Sequence, residues 1–259
     1  MGKRQVRKME VKRRNFQGVL NILSFNRHFY IIGILVWIVI LVVLSLFKLS
    51  PVWFWIISIA FIYGLLMPLI VSAYAYDFSG YYHFNWLKQL NLIETKPQQI
   101  VNINAGFDET SFILEGKFPN SDLQVFDFYD KKRHTEPAIV RARKVSLVYP
   151  NTQEINSYKI PLESESTDIV FLLSSVHEIR QEKERIAFLK ECKRICKPSG
   201  KIITVEHLRD LPNFLAFSIG FTHFFSRKTW KKAFDEAGFI SFKERKFTPF
   251  MSIFECSKK

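Results

Sequence analysis

The chain has 259 residues, 37 Lys and Arg against 24 Asp and Glu, and a net charge of +13, with 48% of its residues apolar. That apolar content excludes an intrinsically disordered chain, and three cysteines are too few for a disulfide framework. A basic arm for nucleic acid would account for the charge, but where the charge sits argues against one.

Residues 1–27 carry Lys3, Arg4, Arg7, Lys8, Lys12, Arg13, Arg14 and Arg27 against Glu10 alone. Within them Phe16, Val19, Leu20 and Leu23 share helical spacing, so Asn15 to Arg27 is expected to lie along an anionic membrane surface. No charged side chain occurs from Phe29 to Phe47 or from Leu49 to Tyr76, and only Lys48 separates the two runs. The first run is about 28 Å long as a helix, close to the roughly 30 Å of a hydrocarbon core. Residues 28–76 therefore read as a hairpin of two transmembrane helices, with Pro51 in the first turn of the second and Pro68 inside it. A signal peptide would have a shorter apolar stretch and a small-residue cleavage site. The basic block keeps the N-terminus cytoplasmic, and two spans return the rest of the chain to that side. The bilayer thus explains the charge, and no nucleic-acid partner is expected.

Residues 77–97 form an aromatic connector in which Tyr81 and Tyr82 are expected to anchor at the interface, with closure over a ligand as the other reading. From residue 98 to 259 strands and helices alternate, which predicts an α/β domain with a parallel sheet. Strands are expected at Gln99–Ile103, Leu123–Phe128, Val145–Tyr149, Asp168–Leu173 and Lys201–His207. Helices are expected to begin at Glu109, over Gln181–Cys196 and over Arg227–Ala237, with a basic helix or loop at Lys131–Arg143. Lys197-Pro198-Ser199-Gly200 reads as a turn, and Phe239–Phe247 with Phe250–Cys256 as a terminal antiparallel pair. Cys192, Cys196 and Cys256 read as free buried thiols, and no histidine or cysteine spacing marks a metal site.

Ligands of such a sheet bind beyond the carboxyl ends of its strands. Those positions hold Asn104, Ala105, Gly106 and Asp108 after the first strand and Asp127 at the end of the second, where a carboxylate can accept ribose hydroxyls. Asn156 and Ser157 follow the third strand, Ser174, His177 and Glu178 the fourth, and Glu206 and His207 the fifth.

These stretches resemble the class I S-adenosylmethionine-dependent methyltransferases of the type 11-like kind. "VNINAGFDET" is similar to their glycine-rich first motif, with Gly106 at its middle glycine, and "LKECKRICKPSGKIITVEH" to their helix, turn and fifth strand. The resemblance implies a Rossmann-like seven-stranded methyltransferase sheet preceded by the two-helix transmembrane hairpin. It also implies S-adenosylmethionine as cofactor, held by Asn104, Ala105, Gly106, Asp108, Asp127, Asn156, Ser157 and Ser174, with Asn156 beside adenine. Asn104 and Asp108 stand where the usual motif has glycines.

Methyl transfer is governed by alignment of acceptor and methyl group, and a hydroxyl or carboxyl acceptor also needs a base or electrostatic partner. His177 and Glu178 are the expected catalytic pair, His177 as base or as a residue that orders the pocket. Glu206 is expected to pair with Arg209, and His207 and His223 to be structural. Phe214, Phe217, Phe221, Phe224 and Phe225 are expected in the core, on a membrane-facing surface or around a route for a greasy acceptor. The membrane anchor points to a hydrophobic or membrane-associated small-molecule substrate. The other expectation is a catalytically silent, membrane-tethered binding module that has lost the cofactor with the glycines.

Overall fold

A computed structural model of the chain describes residues 13–90, 92, 96–133, 136–146 and 148–258. The basic residues from Lys3 to Lys12 lie outside these.

Helix α1 (Gln17–Phe25) does not lie free as an amphipathic surface helix. It is clamped between the apolar hairpin and the α/β domain: the Gly18 amide donates to Asp77 Oδ1 at 2.8 Å, and Asn21 donates to Glu109 at 3.2 Å. A β-carbon at Gly18 would run into Tyr76 and Asp77, so the close approach requires glycine.

Helices α2 (Arg27–Leu46) and α3 (Pro51–Ser72) form the hairpin, roughly 30 and 33 Å long. They pair through Trp37 Nε1 to Ser58 Oγ at 3.3 Å and a stack of Trp37 on Phe61. Ser50 caps α3, Pro51 fills its first turn, and Pro68 is carried within it. Both helices are long and apolar enough to cross a membrane, and only 6% of either apolar stretch is buried, unlike a core helix. Past Ser72 the chain makes a π-helical turn, Ala73–Phe78, into the connector.

The domain is built on a seven-stranded sheet in the order β3-β2-β1-β4-β5-β7-β6. The strands are β1 (Gln99–Asn104), β2 (Asp122–Asp127), β3 (Gln153–Glu154), β4 (Thr167–Leu173), β5 (Cys196–His207), β6 (Ser241–Thr248) and β7 (Met251–Ser257). β1 to β5 are parallel, and β7 is antiparallel to both β5 and β6, as expected of the terminal pair. Helices α4 (Ser111–Lys117), α5 (Pro137–Arg143), α6 (Glu182–Ile195), α7 (Leu211–Phe217) and α8 (Arg227–Glu236) complete it.

The central strands are apolar almost throughout because both sheet faces are covered. Alternate residues of β4 divide between them: Val170 and Leu172 enter the core under α6 and α8, while Ile169, Phe171 and Leu173 enter the opposite one. That opposite core is sealed by the connector, with Tyr81, Phe84, Trp86, Leu87 and Leu90 all buried. Tyr81 and Tyr82 are thus not interfacial anchors. Tyr81 is 2% exposed, and the Tyr82 hydroxyl donates to Glu109 at 2.5 Å beneath the Arg13 guanidinium.

Two expectations fail locally. The third strand is Gln153–Glu154, pairing with Phe126 and Asp127, and the described residues of 145–149 are irregular. Val145 and Val148 have strand propensity but are mostly exposed, so no neighbour rewards pairing there. The turn at 197–200 is absorbed into β5: Cys196 pairs with Thr167 and Lys201 with Ile169, so Pro198 and Gly200 sit in a bulge. The three cysteines are free and buried.

Candidate cofactor and acceptor site

The sheet changes winding direction between β1 and β4, and the crevice lies beyond their carboxyl ends. Gly106 follows β1 with φ of +87°, which a side chain rarely tolerates, and its amide donates to Asn104 Oδ1 at 2.8 Å. Ala105 is buried in the core. Asp108 turns away into the start of α4, where one carboxylate oxygen accepts the Thr110 and Ser111 amides at 2.9 and 3.0 Å.

Asp127 ends β2 with one oxygen accepting the Tyr129 amide at 2.8 Å. Its other oxygen faces Arg143 Nη1 at 2.6 Å. Arg143, the last residue of α5, lays its guanidinium 4.0 Å from the centre of the Tyr129 ring and directly against Gly106, filling the space a β-carbon there would need. The adjoining cavity, bounded by Tyr129, Arg133, Asn156 and Ser157, is about 220 Å³, below the roughly 300 Å³ at which small-molecule pockets begin. Asn156 accepts the Tyr158 amide at 2.8 Å, and Ser157 donates to Glu184 at 2.5 Å.

Past β4 the backbone enters a left-handed conformation at Ser174, φ 49°, a strain of the kind held at functional sites. It is pinned by the Ser174 amide donating to Val205 O at 2.8 Å and by Tyr81, whose hydroxyl lies 3.4 Å from Ser174 Oγ. The short 3₁₀ turn Val176–Glu178 then brings His177 over β5. Glu206, 1% exposed, receives the Val176 amide at 3.1 Å and holds His177 Nδ1 at 2.6 Å, while His177 Nε2 lies 3.4 Å from Glu178. Burial opposes the charged imidazole, but Glu206 and Glu178 outweigh it and push the His177 pKa up to about 10. The two carboxylates thus favour the charged imidazole, while Glu206 fixes the ring where it can meet an acceptor oxygen.

His223, in the 3₁₀ segment Ser218–His223, packs edge to face on His177 with centroids 5.1 Å apart, and its Nδ1 lies 3.1 Å from Glu136. Arg180 bridges the two loops by donating to the backbone carbonyls of His177 and His223 at 3.2 and 2.7 Å. His207 is structural as expected: it is buried, 3.0 Å from Phe250 O and 3.2 Å from Asn213, and burial pushes its pKa down to about 4. Glu206 does not pair with Arg209, whose guanidinium instead donates to the carbonyls of Phe224 and Thr222.

The fold gathers Gly106, Asp127 and Asn104 at one end of the crevice and His177, Glu178 and Ser174 at the other, with Asn156 and Ser157 flanking the first. Sequence reasoning missed Arg143, Glu136 and the place of His223. The basic run of α5 was the one signal for Arg143; the others are far from the motifs in sequence.

Residues 131–204 match the methyltransferase domain family. In fold, the chain is similar to an S-adenosylmethionine-dependent methyltransferase from Aquifex aeolicus, with 16% identity, a TM-score of 0.50, and coverage of 66% of this chain and 86% of that one. It is also similar to a protein from Pyrococcus horikoshii, with 15% identity, a TM-score of 0.51, and coverage of 71% and 92%. No curated protein matches the sequence.

Proposed function

We propose that this chain, which has the fold and a matching domain of the S-adenosylmethionine-dependent methyltransferases, is anchored in a membrane by α2 and α3 and methylates a hydrophobic or membrane-associated small molecule. The residues fit the cofactor. Gly106 offers a backbone without a side chain, Asp127 a carboxylate for ribose hydroxyls, and Asn156 and Ser157 a flank for adenine, once the flexible Arg143 side chain swings out. S-adenosylmethionine would supply an electrophilic methyl group whose sulfur leaves without a proton. The chain's own work is then to orient the acceptor, with the His177 ring, fixed by Glu206, facing the acceptor oxygen.

One observation carries the substrate class. Helix α7 and the segment after it expose Leu211, Phe214, Leu215 and Ile219 by 67, 47, 50 and 79%. The same helix is docked on the second span, Tyr63 donating to Leu215 O at 2.7 Å. Tyr63 lies nine residues before Ser72, about 14 Å along α3, so a bilayer around the hairpin takes in α7 as well. The segment ends at His223, against His177. An acceptor dissolved in the leaflet would meet this apolar surface beside the crevice. Supplying methyl-labelled cofactor with membrane-extracted or water-soluble acceptors tests this: label should enter the membrane extract, and turnover of water-soluble acceptors alone would overturn it.

Arg143 in the crevice favours a second reading, a silent binding module that keeps the fold without the cofactor. Titration of the full chain with S-adenosylmethionine separates the two, since absence of binding at millimolar cofactor would establish the silent module.

A further inference from the structure

We infer that His177, Glu178 and His223 form a binding site for a divalent first-row transition metal at the acceptor end of the crevice. One ligand atom from each lies within 4.8 Å of the other two. Two of the three are imidazoles, a donor set that suits zinc, iron or manganese, whereas magnesium and calcium favour all-oxygen sites.

The surroundings match what metal-binding histidines require. Such a histidine usually donates its other ring N–H to a carboxylate, which fixes the tautomer and orients the ring. Both histidines here have that partner on Nδ1: Glu206 at 2.6 Å for His177 and Glu136 at 3.1 Å for His223. Nε2 of each is then the ligating atom, the metal displacing the proton that His177 Nε2 holds toward Glu178. Glu206 is itself held by the Val176 amide, so this outer support is buried and rigid. Arg180 ties the carbonyls of His177 and His223 together, setting the distance between loops that are 46 positions apart in sequence. The carboxylates of Glu136, Glu178 and Glu206 outnumber that one arginine, which favours a dication.

Three protein ligands leave coordination positions open, and the ligand side chains are partly exposed. A metal there would take an oxygen of the acceptor and polarise it. The site itself stands whether or not the chain transfers methyl groups; only this role rests on that reading.

The test uses the full chain in detergent, stripped with chelator and titrated with Zn²⁺ or Mn²⁺, with bound metal counted by elemental analysis and Co²⁺ absorption as a spectroscopic reporter. One equivalent is expected. Glu178→Gln and His223→Ala should each lower affinity at least about tenfold, and Glu206→Gln, which removes no ligand, by about 10- to 100-fold. Glu178→Gln keeps shape and volume, so its Co²⁺ spectrum decides the matter if His223→Ala fails to fold. Binding of less than a tenth of an equivalent, or binding unchanged by Glu178→Gln, would overturn the site. Neither result depends on cofactor binding or turnover.

Discussion

Arg143→Ala should raise the affinity for S-adenosylmethionine, because Arg143 competes with the ribose for Asp127. The competing interactions are an ion pair whose side chains are 26% and 11% exposed and a cation–π contact at 4.0 Å on Tyr129. A partly exposed ion pair contributes about 0.2–1 kcal/mol and an exposed cation–π contact about 0.5–1 kcal/mol. Removing both takes away about 0.7–2 kcal/mol of competition, which corresponds to roughly 3- to 30-fold tighter cofactor binding. Calorimetric titration of parent and variant with S-adenosylhomocysteine, which the same cradle would take, measures the difference directly. Arg143→Lys should fall between them, since lysine keeps the charge without the planar stacking. Weaker binding by Arg143→Ala would make the arginine a cofactor ligand, and unchanged binding would make it a bystander; either refutes competition for Asp127.

Asp127→Ala should weaken cofactor binding by at least tenfold in the same titration, because it leaves ribose hydroxyls without their acceptor. Leu211→Asp with Ile219→Asp should lower methylation of a membrane-extracted acceptor while leaving cofactor affinity unchanged, as charge on α7 and the segment after it would disfavour the proposed contact with a leaflet; equal turnover would remove this surface from the acceptor's approach. The folded chain holds His207 neutral with its pKa near 4, below the unfolded value of about 6.5, so the unfolded state binds the extra proton. Stability from this group is present above about pH 6.5 and lost as pH falls toward 4, on the order of 3 kcal/mol, and His207→Gln should flatten that part of a denaturation-versus-pH profile. Phe171→Ala, in the fully buried centre of β4, should cost about 3–5 kcal/mol in chemical denaturation.

The sheet and hairpin were legible because their signals are local and strong. The two uncharged runs form two long, exposed apolar helices, and the apolar run of β4 with the amphipathic period of α6 fixes a buried strand beside a covering helix. β3 was misplaced because a two-residue edge strand carries almost no pattern, while Val145 and Val148 imitate one. The connector misled for a related reason: Tyr81 and Tyr82 have interfacial chemistry, but the sheet face beneath them needed covering.

At the site, positions after strands are set by topology, so the places of Gly106, Asp127 and His177 beyond β1, β2 and β4 could be read from the chain alone. What surrounds them could not. Arg143 reaches Asp127 from sixteen residues away, and His223 packs on His177 from a distant loop that Arg180 ties to it through backbone carbonyls. Even Asp108, two residues past the glycine, gives one oxygen to the amides that open α4.

The most direct test is the structure of the chain at saturating S-adenosylhomocysteine. Density for the ribose on Asp127, with Arg143 displaced from Gly106, is the predicted result. Arg143 still paired with Asp127 and the crevice unchanged would contradict it.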